Sequence, residues 1–209
     1  MKMGADYTAD CCKLRTGEFM RKLLYVLPLL AALVLAGCGK QESDLPVNTR
    51  LGGDFTLTDQ NGEPFSAEKL KGQVSILFFG YTHCPDICPA VLAQVAQVYR
   101  HLEEEGVADQ VQPVFITFDP ERDTAAHLKE YLPWFKADMI GLTGSLEQIR
   151  AVAEQYGVVF IKDQEAGEQG YLFTHSDYIY LLDEQARVRK LYPADFKIDE
   201  VVTDVESLL

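Results

Sequence analysis

The chain has 209 residues and a formal net charge of −13, with 19 Lys and Arg against 32 Asp and Glu. Such an acidic chain lacks the basic footprint that a phosphate backbone demands, so a nucleic-acid partner is excluded. Five cysteines do not make a disulfide scaffold when only one close pair stands in the body of the chain, and the length suits one domain with a full core.

The first segment reads as an address rather than a fold. Arg21 and Lys22 precede an apolar run from Leu23 to Leu35, which closes in Leu35-Ala36-Gly37-Cys38. A basic start, a short apolar stretch and a small-residue cleavage site make residues 1–37 a signal peptide. The run is too short for a comfortable membrane span. The closing tetrapeptide resembles a bacterial lipobox, so Cys38 is expected to carry lipid and to begin the mature chain. A plain signal peptide with an incidental cysteine and an uncleaved anchor helix are the alternatives. Residues 1–19, with Cys11 and Cys12, fit poorly; they read as a misassigned start ahead of Met20 or an unusually long n-region. Residues 38–50 are short and polar and form a tether. Acyl chains on Cys38 would anchor the domain, residues 51–209, to a membrane of the cell envelope, facing the periplasm. Gly39 after the lipid site leaves inner and outer membrane both open. In that oxidising compartment a close cysteine pair can form a disulfide.

Phe55 to Thr58 alternates into the turn signal Asp59-Gln60-Asn61-Gly62 and then Pro64-Phe65, a small β-hairpin. A short helical piece ends at Lys71-Gly72-Gln73. Val74 to Phe79 is continuously apolar, the mark of a strand buried on both faces. The turn Gly80 to Asp86 follows, and a helix with an apolar stripe at Val91, Leu92, Val95, Val98, Tyr99 and Leu102 runs to Gly106. Val111 to Phe118 is the next strand. Asp123 or Thr124 caps a helix that Pro133 breaks. Ile140 to Thr143 is strand-like, Ser145 opens a helix to Tyr156, and Val158 to Ile161 reads as a further strand. Asp163 to Gly170 is a polar loop, and Asp177 to Leu182 with Arg187 to Tyr192 form an antiparallel hairpin. Phe196 to Leu209 is a terminal amphipathic helix. The alternation of strands and helices gives an α/β fold: a thioredoxin-like mixed sheet flanked by helices, with an N-terminal β-hairpin.

Cys84 and Cys88 carry the chemistry. Spacing of i and i+4 at a helix start places both sulfurs on one face, next to unpaired N–H groups and the positive dipole end, which favour thiolate. Two sulfurs fall short of a closed zinc site, which wants four ligands; thiolates with one imidazole suit Cu(I). The third donor is sought among His83, His101, His127 and His175. His101 and His127 lie among charged neighbours and read as surface histidines. His83 touches Cys84 in sequence, but adjacent side chains in a turn rarely converge. His175, ahead of the last hairpin, is a ligand candidate or a satisfied, partly buried ring. Asp119 ends a strand in Phe118-Asp119-Pro120; it initiates a turn or supports a site at the strand's C-terminal end. Asp86 is expected to be solvated, and Pro85 and Pro89 shape the turn and prime the helix.

The run Gly80-Tyr81-Thr82-His83-Cys84-Pro85-Asp86-Ile87-Cys88-Pro89 resembles the Sco/SenC family. So do Phe118 to Thr124, Leu142-Thr143-Gly144, His175-Ser176 and Tyr180-Leu181-Leu182-Asp183, in order and over most of the domain. The resemblance implies a thioredoxin-like fold and copper, as Cu(I) or Cu(II), held by Cys84, Cys88 and His175, with Asp119 behind the ligands. It implies delivery of copper to the binuclear copper site of cytochrome c oxidase, or upkeep of that site's reduced cysteines. The oxidase subunit bearing that site and a periplasmic copper donor are the implied partners. Phe173-Thr174 ahead of His175 departs from the Val-Asp common there. A chaperone of this kind is not an enzyme. The competing reading is a periplasmic thiol–disulfide oxidoreductase in which Cys84 attacks and Cys88 resolves. A peroxidase reading ranks last, because Leu77 and Tyr81 stand where its Pro and Thr would precede Cys84.

Overall fold

The computed structural model describes residues 43–163 and 170–209. The expected signal segment, Cys11, Cys12, Cys38, the first five residues of the expected tether (38–42) and the middle of the polar loop lie outside the described residues. The first hairpin is β1 (Thr56–Asp59) and β2 (Pro64–Ser66), joined through the Asp59–Gly62 turn. A single 3-10 turn, Ala67–Leu70, then feeds β3 (Val74–Gly80). Every residue of β3 is buried, as its unbroken apolar run requires of a strand covered on both faces. After β3 come α1 (Ile87–Glu104), β4 (Val111–Thr117), α2 (Ala125–Tyr131), β5 (Ile140–Thr143) and α3 (Leu146–Gln155). The rest is β6 (Phe160–Asp163), β7 (Leu172–His175), β8 (Tyr178–Leu182), β9 (Val188–Pro193) and α4 (Ile198–Glu206).

Seven strands form one mixed sheet in the order β2-β1-β5-β4-β3-β8-β9. β3, β4 and β5 run parallel, which helical crossovers require, and β8 returns antiparallel along β3. Helices flank the sheet: α1 packs against α4, α2 against β5 and α3 against β1. This is the α/β, thioredoxin-like arrangement expected from the order of elements. Local signals act as they should. Thr124 caps α2 by accepting from the His127 N–H, and Ser145 caps α3 in a reciprocal box with Gln148.

Two expectations need correction. The strand expected at 158–161 lies at Phe160–Asp163, and it joins β7 rather than the large sheet. β7 has no period-2 alternation in Leu-Phe-Thr-His, so the pattern gave no strand there. Together β6 and β7 make a separate two-stranded ribbon, with Phe160 opposite His175. The helix after the cysteine turn begins at Ile87, so Cys84 lies before it and only Cys88 lies on it. The two sulfurs therefore do not share a helix face; the turn itself folds Cys84 back toward Cys88.

Candidate metal centre

The centre is built where β3 ends. Gly80 closes the strand, and the turn from Tyr81 to Asp86 carries Cys84. Asp86 formally caps α1, but its side chain makes no cap bond. The Cys84 sulfur stands in: the Cys88 N–H donates to it at 3.5 Å. A sulfur in that position faces the unpaired donors of the first helical turn, which stabilises its anion. Cys88 is fully buried and Cys84 is 9% exposed, and both are free thiols.

His175 ends β7, far along the chain, and its Nε2 lies 3.7 Å from the Cys88 sulfur. Its Nδ1 lies 2.8 Å from the Ser176 carbonyl oxygen, which can only accept. Nδ1 therefore carries the proton, and in the neutral ring the Nε2 lone pair faces the sulfurs. Metal-binding imidazoles are held this way, with the far N–H tied to a backbone carbonyl. The two sulfurs and the ring nitrogen all lie within 4.8 Å of one another.

The charges divide unequally. The hydrogen bond from the Cys88 thiol holds Cys84 far below the usual thiol range, helped by His175 and by the backbone N–H groups of Cys88 and Asp86, while burial opposes. The same bond, with burial, pushes Cys88 well above that range. Burial works against a proton on His175, but the Cys84 sulfur and the Ser176 carbonyl outweigh it, and the ring's pKa is raised. One thiolate, one thiol and one imidazole thus sit together.

An aromatic wall fixes the imidazole. Its ring centroid lies 4.9 Å from that of Phe118 and 6.0 Å from that of Tyr81, the latter edge-on. Phe118 stacks on Phe160 at 5.0 Å and meets Phe173 at 5.1 Å. Phe173, the departure noted above, packs edge-on to Tyr81 at 5.1 Å, and its N–H donates to the Tyr81 hydroxyl at 3.4 Å. Burial raises the Tyr81 phenol to about 12, so it stays neutral. Sequence reading missed Tyr81, Phe118 and Phe173 as parts of the centre; the signal was their place beside Cys84, Asp119 and His175 in the chain.

Asp119 is buried but touches none of the three donors. It accepts from Arg122 Nε at 2.5 Å and from the Tyr171 hydroxyl at 2.7 Å, and Tyr171 packs edge-on to Phe173. Its reach to the centre is indirect, through the segment that carries His175. Asp86 and His101 are exposed, as expected. His83 turns away from the sulfurs toward Asp123. His127, expected on the surface, is half-buried and meets Thr82 at 2.9 Å.

Gly80 is required by space. A Cβ there would stand 2.9 Å from the Phe78 and Phe115 rings and 3.1 Å from the Cys88 sulfur. Gly80→Ala is therefore expected to cost about 1–3 kcal/mol through overpacking and to displace the sulfur. Urea unfolding and metal retention would both report it; a variant matching the parent in both would refute this packing account.

A model of the SCO1/SenC family matches residues 43–209. The chain belongs to that family. Among its relatives is a SCO2-like protein of Rickettsia felis, 39% identical over 156 residues, which cover 74% of this chain and 75% of that one. Among solved structures, Arabidopsis thaliana ScoI with copper bound is 39% identical, with a TM-score of 0.70 over 75% of this Sco chain and 97% of that one. BsSco, described with a disulfide switch and as a member of the Sco family of cytochrome c oxidase assembly proteins, is 27% identical. Its TM-score is 0.66 over 80% of this chain and 98% of its own. The donor set of this SCO1/SenC member fits the metal named for the Arabidopsis protein: two sulfurs and one imidazole suit copper, and three donors are too few for a closed zinc site.

Proposed function

We propose that this chain carries copper on Cys84, Cys88 and His175 and serves assembly of cytochrome c oxidase, delivering copper to its binuclear site or keeping that site's cysteines reduced. The convergence of one imidazole on a reduced sulfur pair, from β7 to the start of α1, is the observation that supports this most. The copper-bound Arabidopsis relative and the assembly role stated for BsSco support it further. The partners are the subunit bearing the oxidase copper site and a periplasmic copper donor. Asp119 supports the ligand-bearing segment by fixing Tyr171. Residues 1–37 are the export signal, Cys38 the lipid-bearing residue, residues 38–50 the tether and residues 51–209 the copper-binding domain, attached to an envelope membrane on the periplasmic side. Among the described residues, no helix is long and apolar enough to cross a membrane.

The expected result is one copper retained per reduced chain after desalting, and none once the two thiols are joined in a disulfide, because a disulfide offers no thiolate. Equal retention by the oxidised chain would overturn the assignment. The pH dependence has a definite sign. Ligands bind metal deprotonated, and Cys88, raised above the ordinary thiol range, keeps its proton at neutral pH, while Cys84 has already lost its own. Copper loading then expels the Cys88 proton, and affinity rises about tenfold per pH unit. Below the raised pKa of His175 a second proton must leave and the slope steepens to roughly two. Chelator competition from pH 6 to 8 reads this slope; a flat profile would contradict it.

The unequal thiols also suit the oxidoreductase reading, with Cys84 as the attacking thiolate and Cys88 as the buried resolving thiol. Turnover on a protein disulfide that survives His175→Ala would favour that reading.

A further inference from the structure

Among the described residues a second group of three donor side chains lies close together, and the copper reading leaves it unused. It consists of His83, Asp123 and His127, with their donor atoms within 4.8 Å of one another. His83 comes from the turn before α1, Asp123 from the loop after β4, and His127 from the first turn of α2. We propose that these three form a second metal site, for a borderline divalent cation such as Cu(II) or Zn(II).

The three donors are arranged around one point. That point is held by the Thr82 hydroxyl, 2.5 Å from Asp123 Oδ1, 2.9 Å from His127 Nε2 and 3.0 Å from His83 Nδ1. The carboxylate is fully buried. Its Oδ2 accepts from the Thr117 hydroxyl at 2.6 Å and the Thr82 N–H at 2.8 Å, which aligns Oδ1 with the imidazoles. The His83 Nδ1 also lies 3.4 Å from Asp123 Oδ1. A buried carboxylate gains from a cation placed beside it.

The rings are ordered as well. His83 and His127 lie 5.5 Å apart between centroids at 30°, and His127 stacks on Tyr131 at 6.1 Å. Donors bound to one such ion at about 2.0–2.2 Å lie roughly 3.3–3.6 Å apart. The His83–Asp123 spacing already meets that. The remaining donors, within 4.8 Å of one another, need to close by no more than about 1.5 Å, with Thr82 turning aside or joining as a ligand. The His83 side chain is 43% exposed, so an ion reaches the cluster from solvent. Two imidazoles and a carboxylate are harder donors than the neighbouring thiol pair, so the two sites select different ions: nitrogen and oxygen for the divalent ion, sulfur for Cu(I).

The test removes the sulfur site and asks what remains. In the full domain carrying Cys84→Ser, Cys88→Ser and His175→Ala, added Cu(II) is expected to be retained at one per chain. Its electron paramagnetic resonance spectrum should show coupling to two imidazole nitrogens. Adding His127→Ala or His83→Ala should weaken retention at least about tenfold and remove one nitrogen. His127 is half-buried and His83 exposed, so both changes spare the core, and circular dichroism confirms that each variant folds. Loss of Cu(II) retention from the triple variant itself, or equal retention with and without the two histidines, overturns the proposal. The latter result would leave Thr82 as a hydroxyl that satisfies three neighbours and nothing more. Because the sulfur ligands are absent throughout, the outcome is independent of the copper assignment above.

Discussion

Replacing His175 with alanine is expected to weaken copper binding by at least about 100-fold. Loss of a group that merely orients a ligand costs roughly 10–100-fold, and here the proposed ligand itself disappears. The sulfurs stay in place, because they are held by β3, the turn and α1, and His175 arrives from the separate β6–β7 ribbon. The variant should therefore keep its thiol reactivity and its fold while losing copper. Competition with a chelator of known affinity, in parallel with thiol counting, reads both sides. Retention of copper at parental affinity would remove His175 from the ligand set and with it the three-donor centre.

The largest expected stability effect lies one layer behind that ring. Phe118 is fully buried and meets Phe160, Phe173, Tyr81 and His175 at centroid distances of 4.9–5.4 Å. Phe118→Ala leaves a void between the end of β4 and the ribbon, and truncations of this kind cost about 3–5 kcal/mol. The same change releases one wall of the imidazole, so copper affinity should fall about tenfold or more even where the variant remains folded. Chemical unfolding gives the first number and chelator competition below the unfolding transition gives the second. A destabilised variant with undiminished affinity would show that the Ser176 carbonyl and Tyr81 position the ring without Phe118. Phe118→Leu, which keeps most of the volume, should recover much of both.

The strands and helices that carry strong periodicity were legible. Val74 to Phe79 could only be a strand covered on both faces, and the stripe from Val91 to Leu102 could only be a helix packed on one. Ser145 marked a helix start that the structure places where expected, and the structure adds the reciprocal box with Gln148. β7 was not legible, because a four-residue strand outside the main sheet has neither an apolar run nor an alternation. That omission hid how His175 is delivered, although the residue itself was singled out. The cysteine pair was found by spacing, yet spacing misjudged the geometry: i and i+4 suggested a shared helix face, whereas a turn and a sulfur cap bring the two together. His127 was misread for a related reason. Charged neighbours in sequence report on the local helix face, and they carry no information about Thr82 and Asp123 arriving from other elements. Contacts among distant segments are what a single sequence hides, and both candidate centres are made of them.

The strand order has a mechanical corollary for cargo handover. Two of the three proposed copper donors stand where β3 leads into α1, while the third rides on a ribbon that shares no ladder with the seven-stranded sheet. Swinging that ribbon outward would sever ring contacts of Phe160 and Phe173, the Phe173–Tyr81 and Tyr171–Asp119 hydrogen bonds and the Lys162–Glu121 pair, and leave every rung of the large sheet intact. A recipient that draws this donor away would thus leave the ladders of the large sheet paired and work only against the aromatic and polar contacts that seat the ribbon, Phe118 foremost among them.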